Sequence, residues 1–217
     1  MKIFDNLYGY IWNDVMENNC NSYIIGGEIP LLIDPGHDRF LTGLVELMDK
    51  DGINPEDISL IITTHSHPDH IEANGNKRWN STLKALNKEE DVYFKEVYPI
   101  FGEELPSFTI DFYLQEGELK VGDNTFQIIH TPGHTPGSIC IYWPQNKTLI
   151  SGDVIFAGGV GRTDFPGGDG KLLKKSIGRL SNLDIEYLLC GHGDILKGRD
   201  RIKRNFGFIE ATFFDFL

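Results

Sequence analysis

Five of the seven histidines in this chain fall in three short blocks, and aspartates stand within or near them. The blocks are Thr64-His65-Ser66-His67-Pro68-Asp69-His70, Pro132-Gly133-His134-Thr135-Pro136-Gly137-Ser138 and Cys190-Gly191-His192-Gly193, with Ser151-Gly152-Asp153 as a fourth. Imidazole and carboxylate ligands together suit Zn2+, Fe2+ or Mn2+. In an extended segment His65 and His67 project to one side and can grip a single ion. Pro68 disfavours a helical conformation at His67 and can open a following helix, which turns Asp69 and His70 toward a neighbouring ion. Two divalent cations ~3.5–4 Å apart need a shared anion, and Asp153 can bridge where a neutral imidazole cannot. His134 and His192 then divide, one to each ion. Packing alone does not account for the set, because burying these side chains without a metal leaves many polar atoms to satisfy.

The surrounding pattern must hold these blocks at strand ends. Short apolar runs bounded by Gly, Asn and Pro, at Leu7–Trp12, Asn21–Ile25 and Pro30–Ile33, read as an antiparallel meander. Leu41, Leu44, Val45, Leu47 and Met48 recur at helical spacing, with Gly52 as the stop. Ile58–Thr63 is continuous and β-branched, the pattern of a strand buried on both faces, and it runs straight into His65. Asn80–Val97 reads as a polar helix, and the segment up to Phe108 is the least regular in the chain. Hairpins are expected from Thr109–Leu114, Glu118–Val121, Thr125–His130, Ser138–Trp143 and Thr148–Ser151. A helix near Gly170–Leu180, a strand near Glu186–Cys190 and a helix around Arg201–Phe214 follow. Asn21–Asp34 and Gly137–Asp153 echo each other as strand, turn and strand ending in Asp. The echo suggests an α/β fold of two face-to-face sheets with helices outside, a four-layer αββα sandwich.

Acidic residues outnumber basic ones by 32 to 20, and the net charge of −12 makes a nucleic-acid backbone a poor partner. Cys20, Cys140 and Cys190 form no CxxC pair, so they are read as buried thiols rather than a disulfide framework or zinc ribbon. No run has the length of a membrane span and the N-terminus lacks a signal-peptide core, which leads us to expect a cytoplasmic protein of one domain, 1–217, with no membrane partner.

The order His-x-His-x-Asp-His, then His, Asp and His, resembles the metallo-β-lactamase superfamily over nearly the whole chain. The resemblance implies the αββα fold, a first metal on His65, His67 and His134, a second on Asp69, His70 and His192, and Asp153 between them. His130-Thr-Pro-Gly-His-Thr-Pro-Gly-Ser138, Gly161-Arg-Thr-Asp-Phe-Pro-Gly-Gly-Asp169 and Gly191-His-Gly193 are similar to the glyoxalase II-like branch, the hydroxyacylglutathione hydrolases and their short relatives. The chain departs from that branch in two ways. A single domain over 1–217 leads us to expect no separate C-terminal helical domain, and Ile71-Glu72-Ala73-Asn74 replaces the usual glycine-containing segment.

The implied activity is hydrolysis of a small-molecule thioester by a hydroxide bridging two divalent ions, Zn2+ first, with Fe2+ or Mn2+ as alternatives. A bridging water ionises near pH ~7, and a thiolate of pKa ~8.5 leaves with little acid assistance. Asp153 and Asp69 are the catalytic carboxylates, Asp69 as a proton relay. Arg162, Lys197 and Arg199 are candidate substrate contacts; Arg162 and Asp164 could equally brace their loop, and the basic run from Lys197 to Arg204 could equally be a solvated face. His130 and His37 are expected to support rather than ligate, and Asp34 to orient a ligand by hydrogen bonding. Tyr93, Phe94, Tyr98 and Phe101 are expected to pack, or to wall the substrate. The main rival is an iron-dependent persulfide dioxygenase using His67, His134 and Asp153, since that family shares the Gly-Arg-Thr-Asp phrase; a lactonase is a further alternative.

Overall fold

A computed structural model describes residues 1–14, 16–101 and 106–217, without the side chains of residues 100 and 101, so the expectation for Phe101 lies outside the described residues. Seven strands form the first sheet in chain order: β1 (Lys2–Phe4), β2 (Leu7–Tyr10), β3 (Ser22–Ile25), β4 (Leu31–Ile33), β5 (Leu60–Ile62), β6 (Leu83–Asn87) and β7 (Phe112–Leu114). Pairing is antiparallel through β4 and parallel from β4 to β7. The second sheet uses β8 (Gly117–Val121), β9 (Asn124–His130), β10 (Ile139–Trp143) and β11 (Thr148–Gly152). A short ribbon of β12 (Ile155–Phe156) and β13 (Gly159–Val160) follows, and then β14 (Tyr187–Cys190) pairs parallel to β11 with β15 (Leu196–Lys197) on its outer edge.

Alternation along the strands makes four layers. Tyr23, Ile25, Ile33 and Ile62 of the first sheet meet Phe126, Ile128, Ile139 and Ile141 of the second in one apolar interior. The opposite face of the first sheet, through Ile24, Leu32 and Ile61, takes Leu41, Leu44 and Met48 of α1 (Leu41–Lys50). A four-residue helix, α2 (Pro68–Ile71), leaves the site, and α3 (Lys88–Val97) packs Phe94 on Leu86 and Ile71. The outer face of the second sheet, through Cys140, Leu149 and Leu188, is covered by Leu173 and Ile177 of α4 (Gly170–Leu180) and Ile202 and Phe206 of α5 (Arg199–Phe213). The architecture is the αββα sandwich; the first sheet is parallel from β4 to β7, and the second has one parallel pair, β11 with β14. The two echoing segments are β3–β4 and β10–β11, and they end in Asp34 and Asp153.

Two expectations need correcting. Asn80–Val97 is not one helix, because Leu83–Asn87 forms β6 before α3 begins. Lys84 hides this strand by interrupting its apolar run. Its chain is buried nonetheless, with Nζ donating to the carbonyls of Trp79 (2.7 Å) and Thr82 (3.0 Å). Asn87 then caps α3 by accepting from the Glu89 N–H. Thr109–Leu114 does not form a hairpin with the strand after it; β7 lies parallel to β6 at the edge of the other sheet. Among the described residues no helix is long and apolar enough to cross a membrane. The three cysteines are buried and unpaired.

Candidate metal centre and its cavity

The site lies where the parallel pairs end. β5 delivers Thr63, Thr64 and His65, all buried, and His67 is extended (φ −63°, ψ 147°) ahead of Pro68 at the first position of α2. The one helical turn that follows swings Asp69 and His70 round. Asp153 follows directly on β11, His192 stands two residues beyond the end of β14, and the β9–β10 loop carries His134. Gly191 permits the close approach, since a Cβ there would sit 2.1 Å from Asp153 Oδ1.

All seven predicted ligands come together, in overlapping groups. His67 Nδ1 lies 3.2 Å from His65 Nε2 and 2.9 Å from His134 Nε2. His192 Nε2 lies 3.3 Å from His70 Nε2 and 3.1 Å from Asp69 Oδ2. Asp153 faces both: Oδ2 is 3.6 Å from His134 Nε2 and 3.3 Å from His192 Nε2, while Oδ1 is 3.3 Å from His70 Nε2.

Partners outside these groups fix which nitrogen points inward. His134 Nδ1–H donates to the Arg162 carbonyl (2.7 Å) and His70 Nδ1–H to Asp34 Oδ2 (3.0 Å). Thr64 Oγ1 spends its proton on Asp34 Oδ2 (2.8 Å), so it accepts from His65 Nδ1–H (3.1 Å). In each ring Nε2 is thereby the atom turned on the site. Asp34, held in the left-handed region at φ 53°, accepts as well from the Thr64 N–H (2.7 Å) and so orients two of the rings.

This donor set fits divalent cations. Three ring nitrogens, His65 Nε2, His67 Nδ1 and His134 Nε2, converge, and Asp153 Oδ1 is buried without a hydrogen-bond partner. Electrostatics separate the two groups. Burial drives His65 well below its ordinary pKa, His67 down to about 3, and His134 down as well. Burial acts the same way on His70 and His192, but the carboxylates overcome it. Asp153, Asp34 and Asp69 hold His70 well above its ordinary value, and Asp153 and Asp69 raise His192 to about 9. Burial opposes ionisation of Asp69 and Asp153, yet His70 and His192 keep both below the usual carboxylate range. A pocket that draws protons onto two imidazoles is one that demands positive charge.

A cavity of about 640 Å3 opens over the site. Its apolar wall is Phe156, Val160 and Phe165, and Arg162 stacks on Phe165 at 4.1 Å while pairing with Asp164 through 2.9 and 2.6 Å hydrogen bonds. Arg162 therefore both lines the cavity and braces its loop. Tyr98 also lines the cavity, whereas Phe94 packs in the α3 cluster. The other two candidate contacts are Lys197 and Arg199. They lie outside the cavity lining, where Lys197 Nζ sits 5.2 Å from the Tyr187 ring centroid and Arg199 pairs with Asp184 at 2.5 Å. The basic run is split between a sheet edge and the first turns of α5, and Lys197 and Arg199 have these local partners.

His130 Nε2 donates to the Pro136 carbonyl (2.9 Å) and braces the loop of His134. His37, by contrast, lines the cavity, with Nδ1 at 2.6 Å from Glu72 Oε2. Sequence reasoning missed Asn18, which donates to Asp69 Oδ2 (2.9 Å). Its neighbour Asn19 accepts from the His37 N–H, and Asn21 donates to the carbonyls of Cys190 and Gly193. Three asparagines within four residues were the available signal, for a loop that satisfies the backbone of others.

Residues 15–192 match the model of the metallo-beta-lactamase superfamily. The chain belongs to that superfamily and is a metal-dependent hydrolase of the class, whose members use a dinuclear metal site. Among its relatives, the probable metallo-hydrolase MJ0888 of Methanocaldococcus jannaschii is 37% identical over 88% of this chain and 91% of its own length. Hydroxyacylglutathione hydrolase GloC of Haemophilus influenzae is 33% identical over 82% of this chain and 86% of its own. The crystal structure of TTHA1623 in a di-iron-bound form superimposes with a TM-score of 0.70 at 30% identity, covering 91% of this chain and 95% of that one.

Proposed function

We propose that this chain hydrolyses a thioester of the hydroxyacylglutathione type, with two divalent cations, Zn2+ in the first place. The observation that carries the metal reading is the pair of back-to-back ligand groups sharing Asp153 beneath one cavity. Likeness to GloC over most of both chains supports the substrate class.

On this reading His65, His67 and His134 hold one ion, Asp69, His70 and His192 the other, and Asp153 is common to both. When bound, such a pair lowers the pKa of water to near ~7 and polarises a carbonyl. Asn18 holds Asp69 in place, so that its carboxylate stays oriented as a proton acceptor. Arg162, whose guanidinium is exposed at the cavity beside Phe165, receives an anionic end of the thiol carrier, while Phe156 and Val160 exclude water from the acyl group. The leaving thiolate, of pKa ~8.5, departs without a dedicated acid.

The test is hydrolysis of S-lactoylglutathione by purified protein, run beside metal analysis and oxygen uptake with glutathione persulfide. Two metals per chain with thioester cleavage are expected. One iron per chain with oxygen uptake and no cleavage would sink the proposal in favour of the dioxygenase.

A further inference from the structure

One fully buried carboxylate plays no part in either ligand group. Glu90, in the first turn of α3, is 0% exposed. Its Oε1 accepts from Ser66 Oγ (3.3 Å), and its Oε2 from Thr135 Oγ1 (2.8 Å) and the Gly137 N–H (3.3 Å); the Ser66 backbone donates to it too. Ser66 stands between His65 and His67, and Thr135 follows His134 directly. Glu90 thus ties the loop of His134 to the Thr64–His70 segment; that segment serves both groups through His65, His67, Asp69 and His70, but the loop of His134 supplies a ligand to one group only. The contact is close, since a Cβ on Gly137 would fall 2.4 Å from the Glu90 nitrogen.

We propose that Glu90 is a positioning residue that sets the separation of His134 from His65 and His67, and so controls the affinity of that group alone for a divalent cation. This rests on the metal reading above. A buried carboxylate is costly to hold in an apolar setting. Here all four neighbours are donors, and two of them are backbone N–H groups that cannot rotate away. An apolar side chain of similar size would fill the space without linking the loops. The same helix holds the third loop around the site, because Tyr93 Oη donates to the Pro166 carbonyl (2.7 Å), between Phe165 and Gly167. α3 is therefore the common reference for the segments around His67, His134 and Arg162.

Glu90→Gln keeps the volume but turns an amide N–H toward one of the four donors. In Zn2+ titrations of metal-free protein against a chromophoric chelator, the variant is expected to bind one equivalent about 10–100-fold more weakly than wild type. The second equivalent should stay unchanged, while the buried amide facing a donor should lower the melting temperature of the metal-free protein. In an Asp69→Ala background, which leaves the histidine group as the intact one, Glu90→Gln should weaken the remaining equivalent. Thr135→Val, which removes one donor and keeps the carboxylate, should give a smaller loss at that same equivalent, and it serves as the test if Glu90→Gln does not fold. Unchanged affinity at both equivalents, or equal losses at both, would overturn the proposal. A wild-type protein that binds no Zn2+ would instead overturn the metal reading beneath it, and the thioester assay is read independently of either.

Discussion

The two halves of the site contain the same residue type under opposite electrostatics. His65, His67 and His134 are buried neutral rings with no carboxylate among them. His70 is fully buried and His192 partly exposed, and Asp34, Asp69 and Asp153 draw protons onto them. The supports differ in kind as well. Glu90 holds the loops that carry the neutral group, whereas Asn18 and Asp34 bond directly to the side chains of Asp69 and His70 in the acid-rich group, Asp34 reaching His65 only through Thr64. Burial sets the preference for the neutral form, and adjacent carboxylates reverse it. One half therefore binds a cation through lone pairs, and the other lowers the repulsion that a second cation would meet.

Asp153 is where the comparison breaks, because it faces both groups and accounts for part of the charge difference between them. Asp153→Ala should lower hydrolysis by at least about 10³-fold, equivalent to ~4 kcal/mol in the barrier, and should abolish tight binding of at least one metal. Steady-state kinetics with metal analysis check this. Full activity in the variant would show that the two groups do not share a ligand.

Metal-free protein should display the contrast as two limbs of its stability against pH. His67 is depressed to about 3, so its unfolded form binds a proton below pH ~6.5 that the folded form refuses, and stability falls as the solution is acidified from there. His192 is raised to about 9, so its contribution is complete below pH ~6.5 and is lost as pH rises toward 9. Chemical denaturation of chelator-stripped protein should show His67→Gln flattening the acid limb and His192→Gln the alkaline one. If both variants flatten the same limb, the two groups are not electrostatically distinct.

The spacing of the histidine blocks made one half of this legible in the sequence. Period-two projection pairs His65 with His67, Pro68 forces the turn, and no tertiary knowledge is needed for either. The sandwich was legible for a similar reason, since two strand-turn-strand segments ending in Asp announce two similar half-folds. Of the supports, Asp34 was expected to orient a ligand and does so at His70, whereas Asn18 on Asp69 and Glu90 on Thr135 were not legible, because each acts across a long stretch of sequence. Glu90 in particular sits in a polar run, Lys88-Glu89-Glu90-Asp91, in which only the fold decides which acid turns inward. The same blindness applies to Lys197 and Arg199, since a charge run carries no information about which way its side chains face.

Those basic residues give the smallest expected effect and a comparison of their own with Arg162. Arg162 is exposed at the cavity on an aromatic face, and its pairing with Asp164 is in open solvent, where such pairs are weak and can be exchanged for a substrate anion. Arg162→Ala should therefore raise KM for an anionic thioester several-fold and leave kcat within about twofold, the pattern of lost ground-state binding. Lys197→Ala and Arg199→Ala remove charge from a surface outside the cavity, so at ~0.15 M salt their effect is limited to screened, long-range attraction. Both kinetic constants should stay within about twofold of wild type, and a modest rise in KM at low ionic strength should vanish when salt is added. A salt-independent loss in either variant, equal to that of Arg162→Ala, would place the substrate's anionic end along β15 and α5 instead of against Phe165.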